Sequence, residues 1–289
     1  MNATYADLHL HTVASDGTQT LAEMAARARA CGLSAIAITD HDAISSELTG
    51  RVTTLLGVEV ITGVELKADF DGVAGELLGY FVDPASPALA ELLGWMEKGR
   101  LLRMERMLEK CREAGFDIGM TDVRRHAAGN LGRPHLARVL VECGAVKRSD
   151  EAFERFIGRG LPCYVSLEKI GLRKAVEILH GAGGAVSVAH PCLMRVADWD
   201  SFLDGLVAAG VDGMETVYPY RTSPTTELAI APELLAMKAG QRGLLVTGGS
   251  DDHGLDSTKI TLGQIRLPYE RVAVLKRITA VGRCALADS

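Results

Sequence analysis

Asp7-Leu8-His9-Leu10-His11-Thr12 decides how this chain is read. A strand sends alternate side chains to opposite faces, so His9 and His11 point the same way. Two neutral imidazoles on one face make half of a metal site. Asp16 follows in the next loop. Working outward, each apolar run of strand length ends in the same kind of residue. Residues 35–39 lead to Asp40 and His41, and residues 58–62 lead to Glu65. Residues 185–189 lead to His190, and residues 211–214 to Glu215. Residues 244–249 lead to Asp251 and His253.

Between the first two strands lies a helix. Leu21, Met24, Ala25 and Ala28 have helical spacing, Thr20 with Glu23 forms a capping box, and Gly32 follows the end. Strand and helix alternating in this way predict an α/β fold built on a parallel sheet or barrel. Such barrels collect their chemistry at the C-terminal ends of the strands. A single aspartate there reads as a helix cap, and Asp42 and Asp252 are read as caps or as supports for their neighbours. His126 and His180 lie outside the pattern and are read as ordinary histidines. His9, His11, His41, His190 and His253 are five of eight histidines in the chain, and all stand at strand ends beside carboxylates. Chance does not place them so. Mixed imidazole and carboxylate ligands suit zinc, manganese or iron. There are too many for one tetrahedral ion, so two or three ions sharing a bridging carboxylate are expected, the arrangement that suits reaction at phosphorus.

Composition is consistent with a globular enzyme. The chain has 289 residues, 47% of them hydrophobic, and a formal net charge of -6. An acidic chain with 5% aromatic residues is a poor binder of long nucleic acid, though not of a small anion held by local positive charge. No run is long enough to span a membrane. The opening residues lack the pattern of a secretion signal, and Cys31, Cys111, Cys143, Cys163, Cys192 and Cys284 form no CxxC pair. A cytoplasmic protein with reduced thiols is expected.

The middle of the chain differs. Residues 84–162 carry few strand signals, with prolines at the entrance and Gly158-Arg159-Gly160-Leu161-Pro162 at the exit. A mostly helical insertion over the active site is predicted there, with a barrel of residues 1–83 and 163–289. Arg103, Arg106 and Lys110 are read as a solvated helix face.

These motifs resemble the PHP family (polymerase and histidinol phosphatase), in particular its stand-alone metal-dependent phosphoesterases. The resemblance rests on DLHLHT, Asp16, TDHD at 39–42, GVE at 63–65, AHP at 189–191 and GSDDH ending at His253. It implies a distorted seven-stranded (β/α) barrel. It also implies that His9, His11, Glu65 and Asp251 ligate one ion, with Glu65 bridging to a second held by His190, while Asp16, His41 and His253 hold a third. His9, His11, Glu65, His190 and Asp251 would be the catalytic set. Asp7 and Asp40 would orient imidazoles by hydrogen bonds. Many members have a histidine where this chain has Glu76, in Glu76-Leu77-Leu78-Gly79-Tyr80. Glu76 is a ligand candidate of harder character, which favours manganese or magnesium over zinc.

Gly132-Arg133-Pro134-His135 resembles an insertion motif of the tryptophan-operon-associated members, which act on nucleoside 3′,5′-bisphosphates and on 5′ ends of short RNA. That implies a phosphomonoesterase removing a 3′-phosphate with metal-activated hydroxide. The substrate would be a small nucleotide, with short oligoribonucleotides as a further class. Arg133, His135 and Arg159 are the substrate-binding candidates. Histidinol phosphate hydrolysis, 5′-to-3′ trimming of RNA and an inactive metal-binding scaffold are the competing readings. An amidohydrolase with a bridging lysine is weaker, because Lys67, the one lysine near the third strand, is read as poorly placed. Tyr80, Tyr218 and Tyr220 are read as packing residues.

Overall fold

The computed structural model describes residues 4–220, 227–257 and 259–281. Cys284 lies outside them; the five other cysteines are free thiols. The chain opens with β1 (Tyr5–Leu10), α1 (Leu21–Ala30) and β2 (Ala35–Ile38). The capping box expected at Thr20 and Glu23 is formed. Next come β3 (Val52–Leu55), β4 (Val58–Phe70) and β5 (Val73–Tyr80). Strands β4 and β5 are an antiparallel hairpin joined by Asp71-Gly72, both at positive φ. A two-residue loop of that kind matches the natural strand twist.

Between Tyr80 and Ile170 every described element is helical: α2 (Pro87–Glu113), α3 (Met120–Arg124), α4 (Arg133–Glu142), α5 (Ser149–Ala152) and one π turn (Phe153–Ile157). Helix α2 links two cores. Leu89, Leu92 and Met96 pack with the barrel, whereas Met104, Met107, Leu108 and Cys111 pack with α3 and α4. The barrel resumes with β6 (Ile170–Gly171), α6 (Leu172–Gly181), β7 (Ala185–Val188), α7 (Trp199–Ala208) and β8 (Gly213–Val217). It ends with α8 (Pro232–Gly240), β9 (Leu245–Gly248), β10 (Leu267–Pro268) and α9 (Tyr269–Val281).

The sheet runs β10-β1-β2-β4-β5-β7-β8-β9 and has ten strands among the described residues, against the seven expected. The surplus comes from short pieces: β3 and β6 join only β4, and β10 joins only β1. Parallel pairing is broken at β4–β5 and β5–β7, which are antiparallel. The ends of the sheet nearly close on each other. The Asp251 amide donates to the His9 carbonyl at 2.8 Å, and His11 N–H donates to Asp252 O at 2.9 Å. Gly249 permits this approach, because a Cβ there would lie 2.3 Å from His9 Cβ. Closure is what brings the first histidine motif against the last.

Candidate metal centre

The ligand-type residues meet at one rim, but not all from strand ends: Glu65, Glu76 and Glu215 stand inside β4, β5 and β8, because β4 runs on past Glu65 into its hairpin with β5. His9 and His11, from β1, are buried. Their Nε2 atoms face Asp251 Oδ1 at 3.6 and 3.2 Å and Glu65 Oε2 at 3.4 Å each. Glu65, on β4, also turns Oε2 to His41 Nδ1 at 2.8 Å and Oε1 to His190 Nε2 at 3.2 Å. Glu76, on β5, lies 3.6 Å from His41 Nδ1 and 3.4 Å from His190 Nε2. Asp16 stands 3.4 Å from His253 and 3.9 Å from His41. Three groups therefore have metal-ligand geometry: His9, His11 and Asp251; His41, Glu65 and Glu76; and His11, Asp16, His41 and His253. The structure brings all nine ligand candidates together.

The donor set fits divalent ions on a physical test. Buried polar atoms are nearly always hydrogen-bonded. Here His9 Nε2, both ring nitrogens of His11, Asp16 Oδ1, His41 Nδ1 and Glu65 Oε2 are buried without a hydrogen bond, and the His9 and His11 Nε2 atoms and His41 Nδ1 converge on Glu65 Oε2. Cations among them would satisfy these atoms. Burial pushes His9 down, but Glu215, Glu65 and Asp251 outweigh it and hold the ring well above its ordinary value. His11 is pushed down to about 3 by burial and by the charges of His253 and His41. Burial acts against His41 too, yet Glu65 and Asp16 raise it to about 9. Protons would compete with metal ions for these rings. His190 and Asp251 both have positive φ, a conformation that costs energy and concentrates at functional sites.

Supporting contacts differ from those expected. Among the described residues, no hydrogen bond or ion pair joins Asp7 or Asp40 to an imidazole ring. Asp7 Oδ1 accepts the backbone amides of His9 and Ser250. Asp40 accepts the Thr12 amide and the hydroxyls of Thr12 and Ser15. They hold the backbone of the segments that carry the ligand candidates, because each carboxylate turns to the main chain packed against it. The imidazole partner is Glu215 on β8, which accepts from His9 Nδ1 at 3.0 Å and fixes Nε2 toward the other ligands. The sequence placed Glu215 after a strand ending at residue 214, whereas it lies in the middle of β8 and pairs across the barrel. Asp251 keeps Oδ1 for the histidines and gives Oδ2 to the Tyr218 hydroxyl at 2.7 Å and to Lys259. Asp42 holds Arg100, and Asp252 holds Arg27 and three backbone amides. His126 pairs with Glu142, and His180 with Asp212, both away from the centre. Tyr80 is buried in the barrel core, and the Tyr220 hydroxyl donates to the Glu215 carbonyl.

A cavity of about 690 Å³ lies over the centre, lined by ligand residues and by Arg103, Arg133 and Arg138 from the helical segment. Arg103 is no solvated residue: it is 9% exposed, while Arg106 and Lys110 on the same helix are exposed. Arg103 donates to Val165 O at 2.8 Å, and Arg133 to Ile157 O at 3.3 Å. Their guanidiniums flank the Tyr164 ring at 5.6 and 5.8 Å. Among the described residues neither has a carboxylate within 4.0 Å, whereas the neighbouring Arg100 is paired with Asp42. Burial and the Arg133 charge bring Arg103 down to about 10. Arg103 is buried and Arg133 half-buried, and two guanidiniums side by side without a carboxylate partner are a candidate anion site.

His135 and Arg159 are not part of it. Arg159 is exposed in the turn after the π segment and does not line the cavity. His135 is buried, and its Nδ1 accepts the Gly132 amide at 3.0 Å, capping α4. Burial pushes its ring down to about 4. An unfolded histidine takes its proton near pH 6.5, so below that pH the unfolded chain binds more protons and stability falls until about pH 4. The effect is worth about 3 kcal/mol. His135→Asn keeps a side-chain acceptor and removes the titration. Urea midpoints at about pH 7 and about pH 4.5 should fall further apart in the native protein than in the variant. Equal differences would assign the acid sensitivity elsewhere.

Lys67 is the residue most clearly misjudged from the sequence. It is two residues past Glu65 on one strand, hence on the same face, and it lines the cavity in an ion pair with Glu76.

Comparison with known proteins agrees with this geometry. The model for the PHP domain matches residues 7–93. A 5′-3′ exoribonuclease of Haemophilus influenzae is 31% identical over 86% of this chain and 89% of its own. A 3′,5′-nucleoside bisphosphate phosphatase of Chromobacterium violaceum is 32% identical over 86% of each chain. A crystal structure of a Bifidobacterium adolescentis protein, provisionally assigned as a metal-dependent phosphoesterase, superposes with a TM-score of 0.82 at 29% identity, covering 98% of this chain and 99% of that one. No helix among the described residues is long and apolar enough to cross a membrane. With its histidines and carboxylates gathered at one rim and its relatives named for action on phosphoesters, the chain belongs to the PHP domain family, as a hydrolase of phosphoester bonds.

Proposed function

We propose that the protein removes the 3′-phosphate of nucleoside 3′,5′-bisphosphates, using two or three divalent ions, manganese foremost. The observation that carries this reading is the unneutralised Arg103–Arg133 pair in the same cavity as the metal-type ligands. A substrate with two phosphates matches both features: one group at the ligand cluster, the other at the guanidiniums. Bound ions would supply Lewis-acid charge to the phosphoryl oxygens and a nucleophilic water. The chain itself does the positioning. Glu215 fixes the His9 ring, Tyr218 and Lys259 fix Asp251, and Arg103 with Arg133 grips the distal phosphate, so that binding energy remote from the reacting bond aligns it.

Histidinol phosphate is disfavoured, since its cationic end would meet guanidiniums. An inactive scaffold would not need an anion site beside its ligands. Trimming of short RNA from the 5′ end remains a second reading, favoured by the Haemophilus relative. The same arginines would then hold a terminal 5′-phosphate and the ligand cluster the next phosphodiester.

The test is phosphate release from 3′-phosphoadenosine 5′-phosphate by manganese-loaded protein, with 5′-phosphorylated trinucleotides and histidinol phosphate in parallel. Formation of 5′-AMP with the highest kcat/KM is expected. Faster mononucleotide release from the trinucleotide would replace this reading with the second one, and turnover of neither would refute both.

A further inference from the structure

Lys67 and Glu76 stand directly opposite each other in the register of the β4–β5 hairpin, and both line the cavity. Of the four carboxylates at the centre, Asp16 and Glu65 have no lysine or arginine within ion-pair distance among the described residues, while Asp251 and Glu76 each have a lysine. The two pairs are built differently. Asp251 divides its oxygens, with Oδ1 facing His9 and His11 and Oδ2 taking Lys259. At Glu76 one oxygen serves both sides: Oε1 carries the Lys67 ammonium and is also the atom 3.6 Å from His41 Nδ1. The other, Oε2, faces His190 at 3.4 Å. An ion among His41, Glu65, Glu76 and His190 would thus share a ligand with a fixed positive charge. Both strands hold that charge in place, and the lysine side chain is only 24% exposed, so water screens it little.

We propose that Lys67 sets the affinity of the metal position formed by His41, Glu65, Glu76 and His190, making its ion the most weakly held of the cluster. The inference rests on the metal-centre reading but not on the identity of the substrate. Lys67 acts here through Glu76 as a positioning residue. Its removal frees a carboxylate oxygen and takes away a repelling charge, and both changes tighten the same ion.

The experiment measures metal per chain, by elemental mass spectrometry, after dialysis of the full chain against a graded series of free manganese. In the native protein, one ion should be released at a higher free manganese concentration than the others. Lys67→Gln should move that step to roughly tenfold lower free manganese, the modest end of what a unit charge a few ångströms away produces. Lys67→Met, made independently in case one variant folds poorly, should do the same, while Lys67→Arg keeps the native step and Glu76→Gln abolishes it. Release curves of Lys67→Gln and Lys67→Met that coincide with the native one would overturn the proposal, as would an equal shift of every ion. Absence of manganese from every form would overturn the metal-centre reading with it, which separates that failure from the failure of Lys67 alone.

Discussion

Glu65→Gln is expected to lower phosphate release by roughly 1,000-fold, about 4 kcal/mol of transition-state stabilisation. Glu65 is the hub of the centre. Its two oxygens lie within 3.4 Å of ring nitrogens from His9, His11, His41 and His190. Glutamine keeps the shape but loses the charge, and it turns an NH₂ group toward ring nitrogens that are themselves ligand candidates. It would lack the charge to hold cations among these rings. Metal content should fall together with kcat, whereas loss of a merely structural carboxylate would lower stability and leave metal content intact. Paired measurement of kcat and bound manganese decides between them, and near-native values for both would remove Glu65 from the centre.

Arg133→Met should cost roughly 100-fold in kcat/KM toward a nucleoside 3′,5′-bisphosphate, in the range seen when one side of a buried charged contact is truncated. It should cost little toward a simple aryl phosphate, which has no second anion. Arg103→Met should behave alike, because the two guanidiniums share the Tyr164 ring and both line the cavity. Neither carries a carboxylate that would be stranded by its loss, so folding should survive. Comparison of the two substrates in each variant separates a phosphate grip from a general defect. An equal loss on both would show that these arginines support the helical segment and not substrate selection.

Much of the centre was legible because its signals are local. A strand alternates faces, so His9 and His11 had to point together, and strand ends in an α/β barrel collect at one rim. Helix α1 was equally legible from Thr20, Glu23 and Gly32. Less was read of the hairpin, although Asp71-Gly72 is a strong turn signal and the parity of Glu65 and Lys67 places them on one face. The insertion motif misled at His135. A histidine three residues after Gly132 can cap a helix as readily as it can bind phosphate, and burial chose the cap.

By itself the sequence determined the candidate ligand types, the shared face of His9 and His11 and the α/β class, since these follow from periodicities of a few residues. Only the tertiary structure decided the partnerships. Glu215 meets His9 across 206 positions, Asp251 meets β1 through barrel closure at Gly249, and Arg103 leaves solvent because residues 164 and 165 fold over it. Each of these pairings depends on non-local packing, and no local pattern encodes which distant surface a side chain will face.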